Sequence, residues 1–193
     1  MILDGGVIDR LRKEMTPRAY LRVTPLKYAA TPLGMGFGET RFASPSRAFR
    51  VLYLGRTLTT AVAETIVRDR FVGRRGRLIT EDEILAWGVA EVRAVATLAL
   101  LDLTGSGLVQ MGVPTNTVRG KAHGPGRRFS ETLHACAPDI DGILYPSRLT
   151  NELCIVVYQR AVPKLRAVAL CPLVDQRALV SALQNLNVAV LAN

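Results

Sequence analysis

Glu64 stands in the stretch AVAETI, two residues from Val62 and from Ile66, which puts its carboxylate at the edge of an apolar helical stripe. A carboxylate at such an edge either pairs with an arginine or does chemistry. Arg22 lies in YLRVT, and Arg41 opens RFASP just ahead of an apolar strand. A guanidinium at the mouth of a sheet is placed to hold an anion. Tyr53, within VLYLG, reads either as core or as a ring with a hydroxyl for orienting a ligand. Ser147 follows Tyr145 and Pro146 at a strand end, where its hydroxyl either shapes a turn or serves as a short donor.

Other familiar chemistries find no footing. LGMGFGET (33–40) has Glu39 where a dinucleotide fingerprint needs its third glycine, and there is neither a Walker loop nor a GxSxG elbow. Cys136, Cys154 and Cys171 form no CxxC pair, and His123 and His134 lie near no paired cysteines, so no zinc set is expected. Reduced thiols and the lack of a signal-length apolar run lead to an expected cytoplasmic location with no membrane span.

The elements that must position these residues can be read from periodicity. Strands are expected at 19–24, 49–55, 87–96, 97–103, 141–148, 151–159 and 165–170. Thr57 or Thr59 caps a helix whose face carries Leu58, Ala61, Val62, Thr65 and Ile66, and Thr80 with Glu83 forms a capping box. Further helices are expected at about 129–136 and 177–186. Residues 1–17 read as a polar arm ended by Pro17, and residues 18–193 as a single domain. Residues 113–128 read as a loop too rich in glycine and charge to pack. With strands outnumbering helices in mixed order, the fold class is α/β (α+β), one domain with mixed sheets and flanking helices.

The chain has 193 residues, 49% hydrophobic, with 25 Lys+Arg against 16 Asp+Glu and a net charge of +9. That composition is globular and excludes a disordered tail. The positive balance favours an anionic ligand, an acidic partner or nucleic acid. The runs Arg68, Arg70, Arg74, Arg75, Arg77 and Arg119, Lys121, Arg127, Arg128 read as solvated loops; aromatics are only 6% and no nucleic-acid motif appears.

Taken in order, Arg22 in YLRVT, the Gly loop with Arg41–Phe42, Tyr53 in VLYLG, Glu64 in AVAE and Ser147 in DGILYPSR resemble the RES domain family over residues 18–160. The resemblance implies an ADP-ribosyltransferase-like fold and a toxin of a toxin–antitoxin pair that degrades NAD by phosphorolysis or hydrolysis. Carried over, Arg22 and Arg41 are the paired arginines, Tyr53 and Glu64 the central polar groups, and Ser147 the serine. Ser130 matches a helix serine of some relatives, and Asn151 a position where many members are polar. Here Glu39 and Thr40 precede Arg41 where many members carry two glycines, so Glu39 is a competing partner for Arg41.

This set suits cleavage of the nicotinamide–ribose bond, whose leaving group is already cationic. The demand falls on an oxocarbenium-like transition state, which a carboxylate stabilises, and on the pyrophosphate, which paired arginines clamp. NAD is then substrate, with phosphate as a co-substrate if cleavage is phosphorolytic, and no metal or cofactor is required. An antitoxin covering the site is the expected partner, and self-association is left open. The alternatives are ADP-ribosyl transfer to a macromolecule, or a basic module that binds nucleic acid or a protein.

Overall fold

Apolar runs buried on both faces make the centre of this molecule. In the computed structural model, which describes residues 1–192, they lie side by side as strands. In chain order the helices are α1 (Gly5–Leu11), α2 (Leu58–Val62), α3 (Glu81–Leu85), α4 (Gly107–Gln110), α5 (Asn116–Arg119), α6 (Gly124–Cys136) and α7 (Leu179–Asn185). The strands are β1 (Arg12–Met15), β2 (Tyr20–Pro25), β3 (Val51–Gly55), β4 (Leu78–Thr80), β5 (Trp87–Ala94), β6 (Leu98–Asp102), β7 (Gly142–Pro146), β8 (Leu153–Tyr158), β9 (Leu165–Ala167), β10 (Cys171–Pro172) and β11 (Ala189–Leu191).

The main sheet runs β1-β6-β7-β8-β3-β2-β5-β10, with β9 also paired to β5; β11 and β4 form a small parallel sheet. Only β6 and β7 are parallel within the main sheet. β7 is buried throughout and β8 from Cys154 onward, as continuous apolar strands should be. β3 alternates: Leu52 and Leu54 enter one core with Leu98, Leu100 and Ile155, while Val51 and Tyr53 pack on a second with Phe42, Phe129 and Tyr158. Helices α2 and α7 close a third apolar cluster. The architecture is the mixed α/β single domain expected, with a curled sheet and flanking helices.

One seam of the sheet is nearly open. β2 pairs with β5 at every residue from Tyr20 to Pro25, and β3 with β8 from Val51 to Gly55. Yet β2 and β3 share a single ladder pair, Leu21 with Gly55, so beyond it the strands are no longer hydrogen-bonded as a ladder. A side chain at Gly55 would lie 2.7 Å from the backbone N of Ala61; glycine lets the first turn of α2 press on the end of β3.

Three local expectations are corrected. Residues 1–17 form α1 and the edge strand β1, which pairs with β6. The Asp4 carboxylate accepts from the N–H groups of Gly6 and Val7, and buried Val7 and Ile8 pin the segment despite its polar surface. Residues 113–128 also pack, with Thr117, Val118 and Gly126 buried and α6 beginning at Gly124. A Cβ at Gly126 would come within 2.7 Å of the Arg41 and Thr117 carbonyl oxygens, so the glycines admit close backbone approach there. Finally, β11 follows α7, adding a strand after the helix that was expected to close the chain. Among the described residues no helix is long and apolar enough to cross a membrane.

Arg160 illustrates how the core is sealed. Its guanidinium donates to the carbonyls of His134 (3.0 Å) in the last turn of α6 and of Ala137 (2.8 Å) and Ile140 (3.1 Å) in the segment that follows it. Arg160→Met is expected to cost about 2–4 kcal/mol, because the stem still packs while buried carbonyls lose their donors. Thermal denaturation checks this: a fall in Tm of roughly 4–16 °C is expected for a domain this size.

Candidate functional site

The site grows from the parted strands. Beyond the Leu21–Gly55 contact, β2 presents Arg22 and β3 presents Tyr53 to a cleft of about 190 Å³. The chain after α2 supplies Glu64, Thr65 and Arg68, the loop before β3 supplies Thr40 and Arg41, and β7 supplies Tyr145. Arg22, Arg41, Tyr53 and Glu64, widely spaced in sequence, are thus brought together.

Glu64 is set by a local irregularity. After Val62 the helix widens into a π turn over Ala63–Val67, closed by the Arg68 N–H donating to the Ala63 carbonyl at 2.7 Å. Such turns shift side chains off the 3.6-residue face and recur at functional sites. The Glu64 Oε1 accepts from the Ser147 hydroxyl at 2.6 Å. Ser147 is fully buried; its oxygen accepts from the N–H groups of Leu149 (3.1 Å) and Thr150 (3.2 Å). The turn linking β7 to β8 is stitched to this helical segment twice more. Thr60 and Thr150 hydroxyls lie 2.9 Å apart, and Arg148 donates to Asp69 at 2.5 Å. Burial acts to raise the Asp69 carboxyl, but the Arg148 bond and charge prevail and hold it below the usual range.

Arg41 is placed by its neighbour. Phe42 is fully buried, edge-on to Tyr145 at 5.0 Å between centroids; its N–H donates to the Tyr53 hydroxyl at 2.9 Å, and its carbonyl accepts from Ser130 Oγ at 2.8 Å. The loop beyond is tied down by Glu131, which accepts from the hydroxyls of Ser44 (2.6 Å) and Ser46 (2.5 Å). Arg41 itself is 8% exposed, and its Nη1 donates to the Gly120 carbonyl at 2.5 Å.

The electrostatics of the cleft are dominated by unpaired guanidinium groups. Neither Arg22, Arg41 nor Arg68 has a carboxylate within ion-pair distance among the described residues. The Glu39 pairing expected for Arg41 does not form: Glu39 is exposed, and its carbonyl faces His123 Nδ1 at 3.0 Å. Burial pushes Arg41 down, and pushes Arg22 down to about 10, still above neutral pH. Arg22 Nη2 donates to the Gly34 carbonyl at 2.5 Å, while its Nη1 is buried without a protein partner. Burial raises the Tyr53 and Tyr145 hydroxyls, keeping both neutral donors. Arg22 also borders a second cavity of about 430 Å³, lined by Thr24, Tyr28, Thr31 and the Gly34–Gly36 loop.

Three residues expected at the site lie outside the cleft lining. Ser147 stands behind Glu64 with its proton committed to that carboxylate. Ser130 is buried in the core, between the Phe42 carbonyl and Tyr158. Asn151 is exposed at φ 59°, a left-handed turn position that asparagine tolerates, with its N–H on the Ser147 carbonyl at 3.0 Å. Conversely, Thr40, Thr65, Arg68 and Tyr145 line the cleft unforeseen. Tyr145 was visible only as the neighbour of Ser147. Arg68 departs from the solvated arginine loop expected of residues 68–77. Arg74 and Arg75 are exposed, but Arg70 grips both Glu83 oxygens at 2.6 and 2.7 Å and Arg68 turns into the cleft lining.

Comparison with known proteins bears on this geometry. A family model of the RES domain matches residues 19–179. Probable toxin y4kH of Sinorhizobium fredii is 35% identical over 112 residues, covering 58% of this chain and 88% of that protein. The fold matches a chain of the M. tuberculosis MbcT–MbcA toxin–antitoxin complex, solved as a crystal structure, with a TM-score of 0.64 at 20% identity. That match covers 95% of this chain and 98% of the other.

Proposed function

The chain belongs to the RES domain family, and on that premise we propose that it is the toxin of a toxin–antitoxin pair that cleaves the nicotinamide–ribose bond of NAD. The observation that carries this reading is a single oriented carboxylate, Glu64, in a cleft whose other charged lining residues are three arginines without carboxylate partners among the described residues. The nicotinamide leaves as a neutral ring, taking the electron pair of the broken bond, and the ribose is left with oxocarbenium character. Glu64 stabilises that positive charge as it develops and hydrogen-bonds a ribose hydroxyl. Ser147 donates to Oε1 and fixes which oxygen faces inward, and so acts as a positioning residue. Arg22 and Arg41 hold the diphosphate through charge-assisted bonds, Arg41 with the N–H groups that Gly120 leaves free. Tyr53 offers its ring to nicotinamide. Arg22, shared by two cavities, suits a ligand with a diphosphate at its middle and a nucleoside at either end. Ser130 holds Phe42, and through it Arg41, from the core side.

The acceptor is water or inorganic phosphate. In the first case ADP-ribose and a proton are released; in the second the phosphate oxygen bonds to the ribose carbon. An antitoxin is proposed as partner, by analogy with the assembly in which the structural neighbour was solved. Purified protein incubated with NAD, with and without phosphate, is expected to release nicotinamide, and product masses identify the acceptor. NAD left intact under both conditions, or ADP-ribose found on a macromolecule, overturns the reading.

A further inference from the structure

The segment leaving the helix that bears Glu64 reads Arg68, Asp69, Arg70, and two of these charges are accounted for. Asp69 is taken by Arg148 at 2.5 Å, and Arg70 by both oxygens of Glu83. Arg68 alone has no carboxylate within ion-pair distance among the described residues, and it alone of the three lines the cleft. Its backbone is unusual. At φ 27° and ψ −116° it lies where glycine is at ease and a side chain with a Cβ is strained. The strain comes with the π turn, since the Arg68 N–H closes that turn on the Ala63 carbonyl at 2.7 Å. The wide turn that presents Glu64 therefore also delivers Arg68 to the same cleft. An arginine with no other role has no reason to occupy such a position, where glycine would relieve the strain.

Charge points the same way. The ionised side chains lining the cleft are Arg22, Arg41, Arg68 and Glu64, three cations against one anion. Partly buried guanidinium groups without counter-charges are costly, and an anion in the cleft offsets that cost. A planar fork of N–H donors matches the oxygens of a phosphoryl group best.

We infer that Arg68 is a phosphoryl-binding residue of the cleft, a third guanidinium beside Arg22 and Arg41 held there by the π turn. This rests on the reading above for its substrate, and two sources share the chemistry: the diphosphate of the dinucleotide, and free inorganic phosphate acting as acceptor.

The test uses the full chain and two probes, ADP and inorganic phosphate, titrated separately by calorimetry into wild type, Arg68→Gly and Arg68→Gln. Arg68→Gly is expected to keep or raise Tm, since it relieves the backbone, yet to weaken binding roughly 10- to 150-fold. Arg68→Gln keeps the strained backbone and part of the stem without the guanidinium, and is expected to lose the same binding; it stands in if the glycine variant fails to fold. Weakened ADP binding assigns Arg68 to the diphosphate, and weakened phosphate binding with ADP unchanged assigns it to the acceptor. Variants that bind both probes as wild type does, or a wild type that binds neither, overturn the inference. Arg68-dependent binding in a protein that leaves NAD intact would sink only the earlier reading.

Discussion

Glu64→Gln is expected to yield a folded protein that binds NAD and turns it over about 100 to 1000 times more slowly, a loss typical of removing one preorganised electrostatic group. Gln matches Glu in size and still accepts from the Ser147 hydroxyl, the 2.6 Å bond that orients the side chain. What it lacks is the charge proposed to stabilise the oxocarbenium. The loss therefore falls on kcat, with KM nearly unchanged. Ser147→Ala makes the complementary change, keeping the charge while freeing the carboxylate to rotate, so its turnover should fall between wild type and Glu64→Gln. Initial rates at saturating and limiting NAD, with circular dichroism to verify the fold, decide the matter. Near-normal turnover in folded Glu64→Gln would reduce Glu64 to the acceptor that secures the β7–β8 turn. If expression of the wild type stops bacterial growth by draining NAD, Glu64→Gln should relieve both effects.

Arg41→Ala is expected to move the other constant, raising KM for NAD roughly 10- to 100-fold with kcat within a few-fold. The diphosphate is anionic before and after bond cleavage, so a clamp on it stabilises ground and transition states alike. A charge-assisted hydrogen bond contributes about 1.5–3 kcal/mol, which sets the size of the effect. The fold should survive because Arg41 has no carboxylate to strand; only the Gly120 carbonyl loses a donor. Isothermal titration with ADP-ribose gives an independent readout and should weaken in parallel. A variant whose kcat collapses while KM holds would place Arg41 at the reacting ribose instead of the diphosphate.

Much of this molecule could be read from its residues in order. The β3 run FRVLYLG, the β7 and β8 runs and the Thr80–Glu83 capping box were legible because each is decided locally, by apolar period or by a hydroxyl three residues from a carboxylate. Arg22, Arg41, Tyr53 and Glu64 were legible as one group through the resemblance of their order along the chain to the RES domain family, and the fold brings them to one cleft.

What escaped sequence reading depends on contacts between distant segments. The 1–17 segment and residues 113–128 are polar along the chain and gain order only by docking, the first through Val7 and Ile8, the second through the close approach at Gly126. Whether a serine touches substrate or stands behind a carboxylate is a matter of a few ångströms across the β7–β8 turn, and no spacing encodes it. The arginine run shows the same limit. By type and spacing Arg68, Arg70, Arg74 and Arg75 are alike, but Glu83 takes one, solvent keeps two, and the π turn carries one into the cleft. Residue types and local periodicity determined which elements form, and the family resemblance indicated which polar groups gather. The β2–β3 seam with its single ladder pair, the π turn, and hence which charges face a ligand were decided by tertiary packing, because they follow from partners supplied elsewhere in the chain.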